Sequence, residues 1–213
     1  GKYQGVPISC TSSGIGSPAI AIAVEELSRI GVATFIRVGS TGGIQKGQMI
    51  GDLVISTGAV RLDGASRDYV IQEYPAVAHY EVVLALIQAA EELKVRYHVG
   101  ITASTDTFYT GQGRPGFEDY FPSHKVHIFE DMQKARVQNF EMEASCLFTL
   151  ASIFGKRAGA VCVIVANRVT NEFHIDDAMQ KRAGLVASRA VAILSKWDSA
   201  KDAKHKRYFL GSD

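Results

Sequence analysis

Cysteine is scarce in this chain: three in 213 residues, Cys10, Cys146 and Cys162, each alone inside an apolar segment. An odd number without C-x-x-C or C-x-x-x-C spacing argues against a disulfide framework or a zinc site. It points instead to reduced core thiols in a cytoplasmic protein. Neither sign of charge dominates, since 23 Lys and Arg stand against 22 Asp and Glu for a net charge of +1. No whole-chain field therefore draws in nucleic acid or a membrane surface. No apolar run nears the ~20 residues of a membrane-spanning helix, and the first residues lack the basic-then-apolar build of a secretory leader. The six histidines form no H-x-x-x-H pair, which argues against a metal site. No G-x-S-x-G elbow marks a serine hydrolase. An initiator methionine is missing too, and Gly1-Lys2-Tyr3-Gln4-Gly5-Val6 runs almost at once into a strand, as the interior of a longer chain would.

Apolar material is plentiful, at 46% of residues, enough for one sizeable core and a single α/β domain over residues 1–213. Strands are expected over 6–12, 34–38, 53–57 and 99–104, and the nearly continuous apolar run 158–167 reads as a central strand covered on both faces. Helices are expected between them. One runs from Pro18 to about Gly31, capped by Ser17, with Ile20, Val24 and Leu27 at helical spacing; another covers 79–93. A third follows Glu143, where Leu147, Leu150 and Ala151 recur at i, i+3, i+4 up to Gly155, and the last begins at Asp176 and Asp177. From Lys196 the chain turns basic but is broken by Asp198 and Asp202, and reads as a solvated end. This alternation predicts a largely parallel sheet with helices on both faces. Such sheets bind ligands at the carboxyl ends of their strands.

Four polar segments fall at those ends. In 139–145, Glu141 and Glu143 share one face of extended backbone and Met142 the other. Two converging carboxylates suit a polyhydroxyl ligand, because each accepts hydrogen bonds from vicinal hydroxyls. In 37–43, the Arg37 fork matches an oxyanion such as phosphate, glycines allow close backbone approach, and Ser40 and Thr41 add hydroxyl donors. In 106–116, Gln112 and Arg114 flank Gly113 with Phe108 nearby. A carboxamide complements the imide edge of a pyrimidine, a guanidinium satisfies a carbonyl, and a ring stacks on base or sugar. The turn 13–18 has neither the G-x-G-x-x-G nor the Walker spacing, so it fits tight strand-to-helix packing as well as anion binding. One shared pocket explains why all four segments lie on one side of the sheet.

In this order the segments resemble the nucleoside phosphorylase superfamily, in its uridine-type branch, over residues 5–210. The matching text is Ser13-Gly14-Ile15-Gly16-Ser17-Pro18, Ile22-Ala23-Val24-Glu25-Glu26-Leu27, Arg37-Val38-Gly39-Ser40-Thr41-Gly42, Val60-Arg61-Leu62-Asp63-Gly64-Ala65-Ser66 and Asp106-Thr107-Phe108-Tyr109. It continues with Gln112-x-Arg114, Phe140-Glu141-Met142-Glu143 and Asn167-Arg168. The Phe108, Gln112 and Arg114 set is the most specific part. The resemblance implies a single-domain three-layer α/β/α fold around a central, mostly parallel mixed twisted sheet. It implies reversible phosphorolysis of uridine, and of deoxyuridine, to uracil and the sugar 1-phosphate (ribose 1-phosphate from uridine). Inorganic phosphate is the co-substrate, with no cofactor, and the assembly is a homodimer or homohexamer. By position, Arg37 and Ser40 would bind phosphate, and Glu141, Met142 and Glu143 the ribose. Thr41, Phe108, Gln112, Arg114, Val165, Ala166 and Arg168 would hold the base, with Arg37, Gln112, Arg114 and Glu143 carrying catalysis. No metal is implied, since Ala19 stands where some relatives place a serine that helps bind a monovalent cation.

Family members also carry an upstream Gly-Asp phosphate turn with an arginine, and take a histidine and another arginine from the neighbouring subunit. None of these has a counterpart in this sequence, so an incomplete copy of the chain is expected. Other readings share the same residues. A purine nucleoside phosphorylase would place an aspartate where Asn167 stands, and asparagine cannot protonate a purine. A hydrolytic nucleosidase would want the same aspartate and has less need of Arg37. A non-catalytic nucleoside binder would follow if the upstream segment were truly absent.

Overall fold

The longest apolar run becomes the strand with both faces covered. In the computed structural model, which describes residues 1–211, this strand spans Arg157–Asn167 and lies parallel to Thr34–Gly43, from Thr34 opposite Arg157 to Gly43 opposite Asn167. The chain order is β1 (Lys2–Tyr3), β2 (Val6–Pro7), α1 (Ser17–Arg29), β3 (Thr34–Gly43), β4 (Leu53–Leu62), α2 (Ala65–Tyr69), β5 (Ala76–Val77) and α3 (Tyr80–Glu92). Then follow β6 (Tyr97–Thr105), α4 (Ile128–Lys134), β7 (Asn139–Glu141), α5 (Ala144–Ile153), β8 (Arg157–Asn167), β9 (Glu172–Phe173) and α6 (Asp177–Ala203).

Seven strands form one mixed sheet in the order β5-β4-β6-β7-β3-β8-β9. The longest ladders, β3–β8 and β4–β6, are parallel, which matches the expected α/β class. The sequence did not disclose that the sheet closes. Leu53, Val54 and Ile55 of β4 also pair antiparallel with Val163, Cys162 and Val161 of β8, so β4, β6, β7, β3 and β8 form a ring. Register shifts between Ser56 and Gly58 and between Thr41 and Gly42 bend the strands at the places where the ring must turn. Helices α3 and α6 pack together and on β3, β4 and β8; α1, α2 and α5 form a second group, with α5 on β4 and β8. The apolar core fills the space between these layers.

Gly159 marks how closely α3 approaches β8. A Cβ there would lie 2.4 Å from Val82 Cγ1 and 3.4 Å from Leu86 Cδ1, both in the helix. Gly159→Ala is therefore expected to cost about 1–3 kcal/mol by overpacking, read as a lower urea midpoint at unchanged m-value.

Several expectations need correction. The strand expected over 6–12 is β2 and covers only Val6–Pro7, because residues 8–14 find no strand to pair with among the described residues, and Cys10 there is exposed rather than in the core. Ser17 does not cap α1: the cap position is Gly16 (φ 92), a left-handed backbone that favours glycine, and the Ser17 hydroxyl donates to Met142 O (3.1 Å). The strand beginning at Thr34 runs on through Gly43, since the β8 ladder continues past the bulge. The basic tail is a solvated end only in part: Lys196 and residues 202–208 are exposed, but its start is packed. Helix α6 extends to Ala203, Lys201 Nζ reaches both Glu81 oxygens at 2.8 Å, Arg157 grips Asp198 with two bonds, and Trp197 stacks on Phe209 at 3.9 Å. Burial works to raise the Glu81 pKa, but Lys201, the Phe209 N–H and Arg157 outweigh it and hold it below the usual carboxylate range.

Candidate active site

Strand β7 is three residues long and wedged between β3 and β6, and all three residues are buried. Its last residue, Glu141, is held entirely by the protein. One oxygen accepts from the Glu143 and Ala144 N–H groups, both at 2.9 Å, and the other from the Ser104 hydroxyl. These amides begin α5, so Glu141 answers the unpaired donors and the positive end of that helix from outside it. Ser104 Oγ in turn accepts from Ser145 N (2.8 Å), and the Ser145 hydroxyl donates to Asp63. Asp63 accepts from Ser66 N (2.7 Å), and Arg61 Nε donates to Ser66 Oγ (3.0 Å). The rest of the buried Arg61 guanidinium donates to carbonyls of Ser66, Val70, Ile71, Gln72 and Tyr74. The segment Val60-Arg61-Leu62-Asp63-Gly64-Ala65-Ser66 is thus a supporting layer under the carboxylates.

Glu143, just before α5, aims its carboxylate at Arg37. Arg37 Nη2 and Nε both donate to Glu143 Oε2, and Nε also lies 3.1 Å from Glu141 Oε2. The other Glu143 oxygen accepts from Gly16 N at 2.6 Å, which docks the glycine turn before α1 onto the site. The guanidinium folds forward along its own strand: a Cβ on Gly39 would sit 2.5 Å from Arg37 Nη1 and 2.9 Å from Cζ. On its far side Nη1 donates to Cys162 Sγ, 2.6 Å away on β8. Burial works against the Arg37 charge, but Cys162, Glu141 and Glu143 raise its pKa above the ordinary value. The cluster therefore pairs one cation with two carboxylates.

A second pole forms farther along β3. Past the bulge, a Cβ on Gly42 would lie 3.5 Å from Arg168 Cγ and 3.8 Å from Arg114 Nη2, so both arginines converge on its bare face. Arg114 lies over the Phe108 ring (4.4 Å), and Arg168 donates to Gln112 O (3.0 Å) and lies over Phe129 (5.1 Å). Burial, then Arg114, pushes the Arg168 pKa down to about 10, and burial lowers that of Arg114. Neither has a carboxylate partner among the described residues. Gln112 ends a short 3-10 turn followed by Gly113 in the left-handed region (φ 71). It is 3% exposed, yet its carboxamide makes no hydrogen bond with the protein among the described residues. Ala166 stands opposite Gly42 in the β3–β8 ladder, with Val165 beside it.

The two poles share one strand and one wall. Glu143 and Arg37 are joined to the base-side arginines through β3, whose Thr41 donates to Phe140 O (2.6 Å) on β7 and accepts from Asn139 Nδ2 (2.7 Å). This occupies the Thr41 hydroxyl, so it is not a free anion donor as the sequence suggested. Ser40 is exposed and makes no hydrogen bond to Arg37. Met142 is half-buried and Phe108 exposed. Asn167 is structural: its amide donates to Gln48 O (2.8 Å), and its oxygen accepts from Val169 and Thr170 N–H. A cavity of about 270 Å³ lies behind the turn that carries Gln112, lined by Asp106, Thr110, Tyr120 and His124.

Only the fold gives the Gly16 N–H, Ser104, Ser145, Asp63 and Cys162 their particular roles. The Arg61-to-Ser66 text was visible as a polar insert after an apolar strand. Cys162, by contrast, reads as one more small apolar residue in a buried run.

The model of the phosphorylase superfamily matches residues 1–196. The chain is 63% identical over 207 residues to the uridine phosphorylase of Thermococcus kodakarensis, spanning 97% of this chain and 74% of that protein. It is 42% identical over 184 residues to the uridine phosphorylase of Escherichia coli, spanning 84% and 72%. It is 38% identical over 195 residues to the guanosine phosphorylase of Halorubrum lacusprofundi, spanning 90% and 76%.

Proposed function

Because the chain belongs to the phosphorylase superfamily, we propose that it cleaves uridine reversibly with inorganic phosphate, giving uracil and ribose 1-phosphate in nucleoside salvage. The observation behind this is a site with two unlike poles on one strand. At one end a carboxylate stands beside an arginine, and at the other a free carboxamide stands beside two desolvated guanidiniums. The first pole suits a sugar and an oxyanion; the second suits a base with an imide edge and carbonyl oxygens.

In this reading Glu143 accepts from ribose hydroxyls, while Met142, Phe108, Val165 and Ala166 supply the apolar walls. Gln112 pairs with the uracil imide edge. Arg114 and Arg168 stabilise the negative charge that develops on the leaving base as the glycosidic bond stretches. Arg37 turns part of its fork from Glu143 to phosphate, which waits beneath the oxocarbenium-like sugar and attacks its anomeric carbon. Ser40 contributes its free hydroxyl or backbone N–H to the same anion. Glu141 acts from behind, fixing Arg37 and the start of α5. No side-chain nucleophile takes part, and orientation of the two reactants supplies up to ~7–11 kcal/mol. One guanidinium facing two carboxylates leaves a formal charge of −1. The phosphate therefore needs further positive charge, which the family resemblance assigns to upstream and neighbouring-subunit residues in a cytoplasmic homodimer or homohexamer.

The test is release of base from uridine, with inosine and guanosine alongside, each with and without phosphate. Uracil release that requires phosphate, at least tenfold faster than purine release, is the expected result. Phosphate-independent release would point to hydrolysis, and uracil binding without turnover to a binding protein. The guanosine-cleaving relative keeps the purine branch as second reading, and preference for guanosine would establish it.

A further inference from the structure

Arg37 is held on three sides, and only two are accounted for by the chemistry above. Glu143 and Glu141 face the Nε–Nη2 edge. Gly39 leaves room beneath the plane. The third contact, from Nη1 to Cys162 Sγ at 2.6 Å, has no role in binding or cleavage. Cys162 is fully buried in β8 and is fixed on two sides, since its neighbours Val161 and Val163 pair with β4 and the same stretch runs beside β3. We propose, resting on the phosphorolytic reading, that Cys162 is a positioning residue: it anchors Nη1 of Arg37 as a fixed pivot, so that the Nε–Nη2 edge can be shared between Glu143 and phosphate without the guanidinium leaving its place over Gly39.

The chemistry of the thiol fits this task. A third carboxylate at this point would cancel more of the charge that attracts phosphate. An apolar side chain would leave a buried N–H without an acceptor. Sulfur accepts weakly and stays neutral, since burial pushes the Cys162 thiol up to about 11 even with Arg37 beside it. Its place on the closed ring adds rigidity, because β8 at this point is laddered to both β3 and β4 and does not shift with a loop.

The pivot predicts a split that a packing role does not. In the full-length protein, Cys162→Ala removes the acceptor without adding bulk beside Arg37; Cys162→Ser has nearly the same loss of volume but keeps an acceptor. Steady-state phosphorolysis of uridine is measured with each, varying phosphate and uridine separately. Cys162→Ala is expected to raise the KM for phosphate about tenfold, as for an unsatisfied buried donor, with kcat at saturating phosphate and the KM for uridine within about threefold of the parent. Cys162→Ser is expected to restore the KM for phosphate to within about threefold. If the serine variant is the more damaged of the two, or if neither moves the KM for phosphate, Cys162 is only a core residue and the pivot is overturned while the parent's phosphorolysis stands. If the parent itself releases no uracil with phosphate, the functional reading fails and the pivot with it.

Discussion

Arg37→Met is expected to lower phosphate-dependent uracil release by a factor on the order of 10³ or more, as loss of a charged transition-state contact can, and to unfold more readily than the parent. The two effects have separate causes. Activity falls because no other cation contacts Glu143 among the described residues, and because phosphate loses the fork that would hold it under the sugar. Stability falls because Glu141 and Glu143 are buried, with side chains 1% and 8% exposed. Removing one partner of a buried ion pair costs about 3–5 kcal/mol, since it leaves charge without compensation. The double variant Arg37→Met with Glu143→Gln separates them. It relieves one stranded carboxylate, so urea denaturation should show part of the lost stability returning while activity stays absent. A single variant that kept its full stability would mean that the carboxylates do not depend on Arg37, and the picture of a shared fork would fall.

Arg114→Ala comes next in size. Its guanidinium lies over Phe108 beside Gly42 and has no carboxylate to neutralise it among the described residues. A donor aimed at developing charge contributes on the order of 10²–10³ in kcat, and a loss of that size is expected here. Folding should be nearly unaffected, because among the described residues the side chain makes just one hydrogen bond, a long one to Phe108 O (3.4 Å). The diagnostic is which constant changes. A fall in kcat places the arginine's work in the transition state; a rise in the uridine KM alone would make it a ground-state contact, and charge stabilisation at the base would be the wrong role. Arg168→Ala is a less clean probe, since that side chain also ties down Gln112 O and so shapes the turn.

Sequence gave much of this away wherever a residue's chemistry was at odds with its surroundings. Two carboxylates one residue apart in an apolar stretch, and an arginine among glycines, announced themselves, and both proved to belong to one cluster. The same was true of the apolar run that became β8. What stayed hidden depends on contacts distant in the chain. Glu141 looked like a sugar ligand, and only the fold shows that Ser104, Glu143 N and Ala144 N also bind its oxygens. Lys201 and Trp197 looked solvated because their partners Glu81 and Phe209 are brought to them by helix packing and by the returning chain. Ring closure through Leu53 and Val163, 110 positions apart, leaves no local trace either.

That closure has a consequence for behaviour outside catalysis. The outermost strands of the seven-stranded sheet are β5 and β9, of two residues each. Unpaired strand flanks are where one molecule recruits the next into fibrous stacks, and short ones offer little template. A concentrated solution of the folded protein should therefore resist polymerising through its sheet, and precipitation on heating should set in only once the ring itself has opened.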